Sequence, residues 1–401
     1  MESVANIGQS FKAEFERQVE AEYSKLSRAN VLIAGHTGAG KSKLINAVLG
    51  AELARVGSGA PVTDCYTRYS VNSVPVVIFD AKGWEGGTEK ELLFFADTER
   101  FLAEHRSSDS DSRIHVIWYV VDAPGARFTD FDERLIRVAF RDIPILVVLS
   151  KCDIAADEQI QALRDEIAVR QLTEVIDVVE VAAAPLARRA EPRLPPFGLG
   201  ELVTVTTSRL PELVRKAFIS AQRVNFDIKR KTASKEIVAF ASGAFAIGFN
   251  PLPFADAALL VPLQAAMAAR VAVIYGYRKD EMIVVMAASL AGSTFATVCG
   301  TTLANLLKLL PGLGTMIGGF INGTVGASLT AAMGFAFSSL FYEIGQRTLA
   351  GDETTLTAEW AQEFLHSQFL RIWQILKGKK RLDALVEGEQ LMAEPRGSGP
   401  A

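Results

Sequence analysis

Gly35-His36-Thr37-Gly38-Ala39-Gly40-Lys41-Ser42 satisfies every fixed position of the pattern G-x-x-x-x-G-K-[S/T], which is typical of phosphate-binding loops. The apolar run 31–34 predicts a buried strand before it, and apolar residues at helical spacing predict a helix after it. In this context the backbone N–H groups of the loop can turn towards a phosphate, and the helix N-terminus adds a positive potential. Lys41 is therefore expected to reach the outer phosphates, and the Ser42 hydroxyl to bind Mg²⁺.

Two downstream segments carry residues that are expected to reach the same phosphates. Residues 51–64 are rich in glycine and other small residues, which predicts a loop, and Thr63 within it is a candidate Mg²⁺ ligand that also contacts the γ-phosphate. An apolar run ends at Asp80, and Gly83 follows in the pattern D-x-x-G. Asp80 is expected to hold Mg²⁺ through water, and the Gly83 N–H to contact the γ-phosphate. The predicted metal ligands are Ser42, Thr63 and Asp80, and the predicted catalytic residues are Lys41, Thr63 and Gly83.

A fourth segment, Ser150-Lys151-Cys152-Asp153, follows the apolar run 143–149 and has the pattern of guanine recognition. Asp153 can accept hydrogen bonds from the ring N–H and the exocyclic amine of guanine together, a donor pair that adenine lacks. Lys151 is expected to lie along the base. Ser150 stands where Asn or Thr is usual, and it keeps the hydroxyl of Thr.

Predicted strands and helices alternate from residue 30 to residue 217, and most of the strands are continuous apolar runs. This pattern predicts an α/β fold, with a mostly parallel sheet covered by helices on both faces. Ligands of such folds bind at the carboxyl ends of the strands, where the four segments fall. The predicted fold class is a P-loop α/β domain followed by an all-α hydrophobic domain.

The ordered set GHTGAGKS, Thr63, DAKG and SKCD resembles the small GTPase domains of the translation-factor class over residues 30–217. The loop itself is more similar to those of immunity-related and septin-like GTPases than to loops with Asn in place of Gly38. The resemblance implies GTP or GDP with Mg²⁺ as ligands, and a backbone contact from Ala183 to the guanine carbonyl. The implied nucleotide-binding residues are Gly35, His36, Thr37, Gly38, Ala39, Gly40, Lys41, Ser42, Thr63, Asp80, Gly83, Lys151, Asp153 and Ala183.

Trp84 occupies the position at which small GTPases often carry a glutamine that orients the attacking water. An indole cannot orient water in this way, so we expect slow GTP hydrolysis that a partner or self-association accelerates. His36 and Arg55 are candidates for stabilising charge in the site, and the alternative is that each is an ordinary loop side chain.

The second half of the chain is strongly apolar. Met282–Leu307 and Leu309–Tyr342 carry no charged residue, and each exceeds the roughly 20 residues that cross a bilayer. A membrane hairpin and a compact bundle of fully buried helices both fit these runs. Through Asn250–Asp256 and Gln264–Met267, residues 230–345 resemble a bacterial family in which an Era-like GTPase precedes a hydrophobic helical domain of unknown function.

The predicted domain organisation follows from these patterns. Residues 1–29 form an amphipathic helix that packs on the helical domain, residues 30–217 form the GTPase domain, residues 218–378 form the hydrophobic helical domain, and residues 379–401 form a basic, disordered tail. The net charge of −4 provides no global basic field, so nucleic acid is not expected as a partner. The three cysteines and four histidines show no ligand spacing. The N-terminal residues alternate charged with apolar side chains and lack the apolar h-region of a secretory signal, so a signal peptide is not expected.

These observations predict a GTP-dependent switch in the cytoplasm, associated with the inner face of the cell membrane. Its expected partners are guanine nucleotide, membrane lipid and a second copy bound through the GTPase domain. The alternatives are a nucleotide-gated scaffold or membrane-remodelling protein of dynamin-like or immunity-related type, with hydrolysis secondary, and an ATPase.

Overall fold

The computed structural model describes residues 2–50, 60–61, 65–70, 74–84, 86–106, 111–184, 195–248, 255–278, 315–352 and 356–376. The chain divides into two compact units, of which one comprises residues 26–225 and the other combines residues 1–25 with 226–401. We call them the nucleotide unit and the helical unit. Thr63, Arg55 and the apolar run Met282–Leu307 lie outside the described residues.

The nucleotide unit is built on one sheet. Its strands are β1 (Ala29–Gly35), β2 (Ala60–Pro61), β3 (Tyr66–Ser70), β4 (Val76–Ala81), β5 (Val116–Asp122), β6 (Ile145–Ser150) and β7 (Val175–Val181). They lie in the order β2-β3-β4-β1-β5-β6-β7. The neighbouring strands β4, β1, β5, β6 and β7 are parallel to one another, and β3 is antiparallel to both β2 and β4. The predicted α/β fold with a mostly parallel sheet is therefore confirmed.

The sequence patterns did not predict the short strand β3, which lies between the two-residue edge strand β2 and β4. Tyr66–Ser70 is polar and only partly buried, so it lacks the continuous apolar run that marks β1 and β6, which are buried along their whole length. It follows a segment that reads as a loop. An antiparallel strand can have one face exposed, so its apolar signal is weaker than that of a central parallel strand.

Helices connect and cover the strands of this unit. They are α2 (Lys41–Leu49), α3 (Thr88–Glu104), α4 (Asp130–Arg134), α5 (Asp157–Val169), α6 (Leu199–Arg209) and α7 (Glu212–Ala221). Helix α4 continues into a π-helical turn at Leu135–Ala139. Pro211 separates α6 from α7, because proline lacks the N–H that a continuous helix would need at this point.

The helical unit combines both ends of the chain. Among the described residues, its helices are α1 (Glu2–Ser24), α8 (Phe226–Gly248), α9 (Ala255–Tyr275), α10 (Thr315–Ala350) and α11 (Ala358–Leu376). Helix α1 packs on α9, and α10 packs on α8, α9 and α11. Phe11, Phe15 and Val19 on α1 are buried, as their helical spacing predicts.

Among the described residues, no helix combines the length and the apolarity that crossing a bilayer demands.

An ion-pair network joins three helices of the helical unit. Arg270 on α9 lies between two carboxylates, with its Nε 2.6 Å from Oε2 of Glu22 on α1 and its Nη1 2.8 Å from Oε2 of Glu236 on α8. Glu22 is only 6% exposed. A buried carboxylate is costly unless it is paired. Glu22 is paired with Lys25, three residues further along the chain, at 2.6 Å and with Arg270, and of these two cations it is Arg270 that links α1 to α9.

We expect Arg270→Leu to lower the free energy of unfolding of the helical unit by about 1–3 kcal/mol, because Glu236 would lose this guanidinium and the buried Glu22 would keep only Lys25, whose ammonium lies 2.6 Å from its Oε1. Urea unfolding of the full chain, followed by circular dichroism, measures this loss. The matched control is Arg17→Leu on α1, whose ion pair with Glu14 lies at the surface and whose removal should leave the midpoint unchanged. Equal midpoints for Arg270→Leu and the wild type would contradict this role of the network.

Candidate functional site

The phosphate-binding loop connects the end of β1 at Gly35 to the start of α2 at Lys41. Gly40, the residue that caps α2, has φ 93° and ψ 16°, a left-handed conformation that glycine adopts without strain. The helix begins directly after it, with the Leu44 N–H donating to the Gly40 carbonyl at 3.0 Å. The N-terminus of α2 is thus presented at the carboxyl edge of the sheet, where the predicted phosphates lie.

Lys41 is folded back over this loop. Its ammonium donates to the carbonyl oxygens of Gly35 at 2.8 Å and His36 at 3.0 Å. The side chain is buried, and burial lowers the pKa of Lys41 while the neighbouring Asp80 carboxylate opposes this shift. Two of the three ammonium donors are therefore used to fix the loop, and the third can serve a phosphate.

Asp80 lies at the end of β4, in register with Ile33 of β1, two residues before the loop begins. Burial raises the pKa of Asp80 to about 6, and Lys41 limits the rise. Its Oδ1 is buried and accepts no hydrogen bond from the described residues. A buried carboxylate oxygen without a donor, beside a phosphate-binding loop, fits a site for Mg²⁺ held directly or through water. Ser42, the second described candidate ligand, is exposed in the first turn of α2.

Gly83 lies directly against the phosphate-binding loop. A methyl group at Gly83 would come within 2.4 Å of the Thr37 Cα, so only glycine fits. The Thr37 hydroxyl donates to the Gly83 carbonyl at 2.9 Å, and the Thr37 N–H donates to the Trp84 carbonyl at 3.2 Å. The structure therefore brings the D-x-x-G segment into contact with the phosphate-binding loop.

Ser150 connects the guanine-recognition segment to the phosphate-binding loop. Its hydroxyl is within hydrogen-bonding distance of the Ala39 carbonyl at 2.7 Å and of the Val121 carbonyl at 3.1 Å. Serine therefore bridges the loop and β5 at a position where the family pattern has Asn or Thr. Asp153 comes three residues after Ser150. The bridge therefore fixes where the segment that carries Asp153 begins relative to the phosphate-binding loop.

Two further predicted nucleotide-binding residues, Lys151 and Ala183, come just after the ends of β6 and β7. Lys151 has φ 58°, and its ammonium is 2.8 Å from Oδ1 of Asp122 at the end of β5. Ala183 follows a two-way backbone bridge between Ala182 and Phe197, which fixes the turn after β7. Both residues thus lie at the carboxyl edge that also carries the phosphate-binding loop.

Trp84 is withdrawn into the core of the nucleotide unit, where it is 3% exposed. Its ring lies 4.4 Å from the His36 ring and also packs against Phe94, Tyr119 and Phe131. On its other side, His36 has Nε2 3.5 Å from Oδ1 of Asp132. His36, whose side chain is partly exposed, therefore lies between an indole and a buried carboxylate.

Asp132 belongs to the capping box of α4 and has further partners beyond the cap. It accepts from the N–H and the hydroxyl of Thr129, both at 2.6 Å, and from the Tyr119 hydroxyl. Burial opposes its ionisation, yet the contacts from His36, Thr129 and Tyr119 hold the pKa of Asp132 below its usual value. Asp132 is therefore a buried carboxylate that is ionised at neutral pH.

Sequence reasoning missed Asp122 and Asp132. Asp122 had a usable signal, because it ends the strand that neighbours β6 and pairs in register with Ser150. Asp132 had only the local pattern Thr-x-x-Asp of a helix cap, which says nothing about contacts with a loop almost a hundred residues away.

Two family models match parts of the chain. Residues 30–151 match the model of the 50S ribosome-binding GTPases, and residues 215–363 match a domain of unknown function, DUF697. No curated protein matches the chain significantly.

Solved structures of guanine-nucleotide-binding proteins are similar to part of the chain. Era from Aquifex aeolicus bound to GDP and AlF4− is 22% identical with a TM-score of 0.33, and the alignment covers 47% of this chain and 58% of Era. Era in complex with MgGDPNP and nucleotides 1506–1542 of 16S ribosomal RNA is 21% identical with a TM-score of 0.32 and the same coverage of 47% and 58%. Toc33 from Arabidopsis thaliana, with Mg²⁺ and GMPPNP, is 17% identical with a TM-score of 0.31, over 53% of this chain and 95% of Toc33. The chain thus spans less than two thirds of the two Era chains that it matches.

The match of residues 30–151 and the geometry of the loop define the class of the first half of the chain. It is a GTP-binding P-loop GTPase domain, followed by a helical region that matches DUF697. The predicted class of protein is confirmed at this level.

We expect Asp80→Asn to stabilise the nucleotide-free, metal-free protein at pH 7.5. The pKa of Asp80 in the folded protein, about 6, exceeds its ordinary value of 3.8, so its contribution to stability falls as pH rises from about 4 to about 6. The variant should gain up to about 3 kcal/mol at pH 7.5 and nothing near pH 4. Urea unfolding at both pH values measures the difference. Asp177→Asn on β7, an exposed site, is the control, and a variant no more stable than wild type at pH 7.5 would refute the burial penalty.

Proposed function

We propose that this protein binds GTP with Mg²⁺, hydrolyses it slowly, and uses the change of nucleotide to alter the helical unit. The observation that carries the proposal is the Ser150 bridge to the Ala39 and Val121 carbonyls. It joins the segment that selects guanine to the loop that binds phosphate. Asp80, with its buried oxygen without a donor, completes the site on the opposite side of β1.

The roles follow from the chemistry of each group. Lys41 binds the outer phosphates, Ser42 and Asp80 hold Mg²⁺ with Thr63 as the third ligand, and the Gly83 N–H contacts the γ-phosphate. Mg²⁺ supplies charge neutralisation of the phosphate oxygens when it is bound. Asp153 selects guanine, with Lys151 along the base and the Ala183 backbone at the guanine carbonyl.

Slow hydrolysis is supported by the position of Trp84. The residue that follows Gly83 is a buried indole, and an indole N–H can donate but cannot accept a proton from water. The site as described therefore has no group at this position that orients an attacking water. We propose that a partner, or a second copy bound through the nucleotide unit, accelerates the reaction.

We further propose that the protein acts in the cytoplasm at the inner face of the cell membrane. The support is the length of the uncharged runs in the sequence of the helical half. The absence of a nucleic-acid partner stays a prediction that rests on net charge alone. A nucleotide-gated scaffold or membrane-remodelling protein, in which hydrolysis is secondary, is the alternative that the same experiment separates.

The test is binding and turnover of GTP by the full chain, with and without anionic liposomes, over a range of protein concentrations. We expect GTP and GDP to bind with Mg²⁺, ATP to compete poorly, and turnover to be slow and to rise with liposomes or protein concentration. Fast turnover independent of both would contradict the switch mechanism. Tight binding with negligible turnover under every condition would favour the scaffold, and equal binding of ATP would refute guanine selection.

Asp153→Asn should weaken GDP binding by about 100-fold or more, because the negative charge is lost and one of the two guanine donors would face the Asn NH2 group, which cannot accept a hydrogen bond. Isothermal titration calorimetry with GDP measures the loss. Asp157→Asn, in the first turn of α5, removes an exposed carboxylate four residues away and should leave the affinity unchanged. If both variants bind GDP as tightly as wild type, Asp153 does not contact the base.

A further inference from the structure

The indole of Trp84 is held in place by rings and not by a hydrogen bond. Its Nε1 is buried and has no hydrogen-bond partner among the described residues. A buried donor without an acceptor is unfavourable, so ring packing must offset this cost. The shortest of the ring contacts, at 4.4 Å, is the one with His36 of the phosphate-binding loop.

The backbone next to this indole occupies donors of the phosphate-binding loop. The Thr37 N–H is engaged by the Trp84 carbonyl at 3.2 Å, and the Thr37 hydroxyl by the Gly83 carbonyl at 2.9 Å. Gly83 packs so closely on Thr37 that even a methyl group could not be inserted. A γ-phosphate that draws the Gly83 N–H towards itself must change these contacts.

The imidazole that supports Trp84 is itself supported by Asp132. The Nε2 of His36 faces Asp132 at 3.5 Å, and the hydroxyl of Tyr119 and both donors of Thr129 hold the other lone pairs of this carboxylate. Asp132 contacts the loop only through His36 in the described contacts. A change at Asp132 can therefore reach the loop directly through His36, and it can reach Trp84 through His36 and through Tyr119, whose ring packs on the indole at 5.8 Å.

We infer that Asp132 and His36 are positioning residues that hold Trp84 in its pocket and keep the D-x-x-G segment closed on the phosphate-binding loop. This closed arrangement accepts a nucleoside diphosphate and disfavours a triphosphate, because the latter must release Thr37 from Gly83 and Trp84. The inference rests on the proposed function and adds to it the residues that set the preference between GDP and GTP.

The experiment uses the full chain labelled with 5-fluorotryptophan, whose four tryptophans give separate ¹⁹F resonances. The Trp84 line is assigned by its loss in Trp84→Phe. Asp132→Asn is the test variant. Asp130→Asn is the matched control, because it makes the same change two residues earlier in α4, where the side chain is 99% exposed. The affinities for GDP and for GMPPNP are measured on the same samples.

In Asp132→Asn, we expect the Trp84 line of the nucleotide-free protein to move towards the position of a solvent-exposed indole, while the other three lines stay. The affinity for GMPPNP relative to GDP should rise about three- to tenfold, the effect of losing one or two ordinary hydrogen bonds from the closed arrangement. Asp130→Asn should change neither quantity.

A Trp84 line that does not move in folded Asp132→Asn overturns the positioning role. A line that moves with an unchanged GMPPNP-to-GDP ratio overturns the link to nucleotide preference. If Asp132→Asn unfolds and all four lines collapse, His36→Ala decides by the same two readouts. Failure of the wild type to bind either nucleotide refutes the proposed function, whereas the nucleotide-free spectra still test the positioning of Trp84.

Discussion

The parallel pairing of β1 with β4 on one side and β5 on the other is the constraint on which the site depends. Parallel strands end at the same edge of a sheet, so residues that follow different strands meet there although they are far apart in sequence. Asp80 lies at the end of β4, the phosphate-binding loop follows β1, and Ser150 is the last residue of β6. The Ser150 hydroxyl then connects the end of β6 to the phosphate-binding loop.

The parts of the fold that could be predicted from sequence are those with a strong local pattern. The loop from Gly35 to Ser42, the strand before Asp80 and the segment from Ser150 to Asp153 each combine a motif with a buried apolar strand. Chain order then placed them at one edge of the sheet. The α/β class and the mostly parallel sheet follow from the same strands, because continuous apolar runs have one stable arrangement when helices alternate with them.

The remaining features depend on contacts that have no local signature. Trp84 was recognised as an unusual residue for its position. Its burial, however, depends on His36, Phe94 and Tyr119, which come from three other segments of the chain. Asp132 reads as a helix cap from its neighbours and becomes part of the site only through the fold. The helical half was ambiguous for a related reason, since a bilayer and a protein interior both favour helices that are apolar on every side. In the described part of α10, residues 326–338 are almost entirely buried.

The helical unit is assembled from two stretches of chain that the whole nucleotide unit separates. During synthesis on the ribosome, residues 26–225 are complete before α9, on which α1 packs, has been made. The apolar face of α1, with Phe11, Phe15 and Val19, must therefore stay exposed for the time needed to translate more than two hundred residues. This order of events makes the nascent chain a candidate client for chaperones, and it gives the GTPase half the opportunity to fold first.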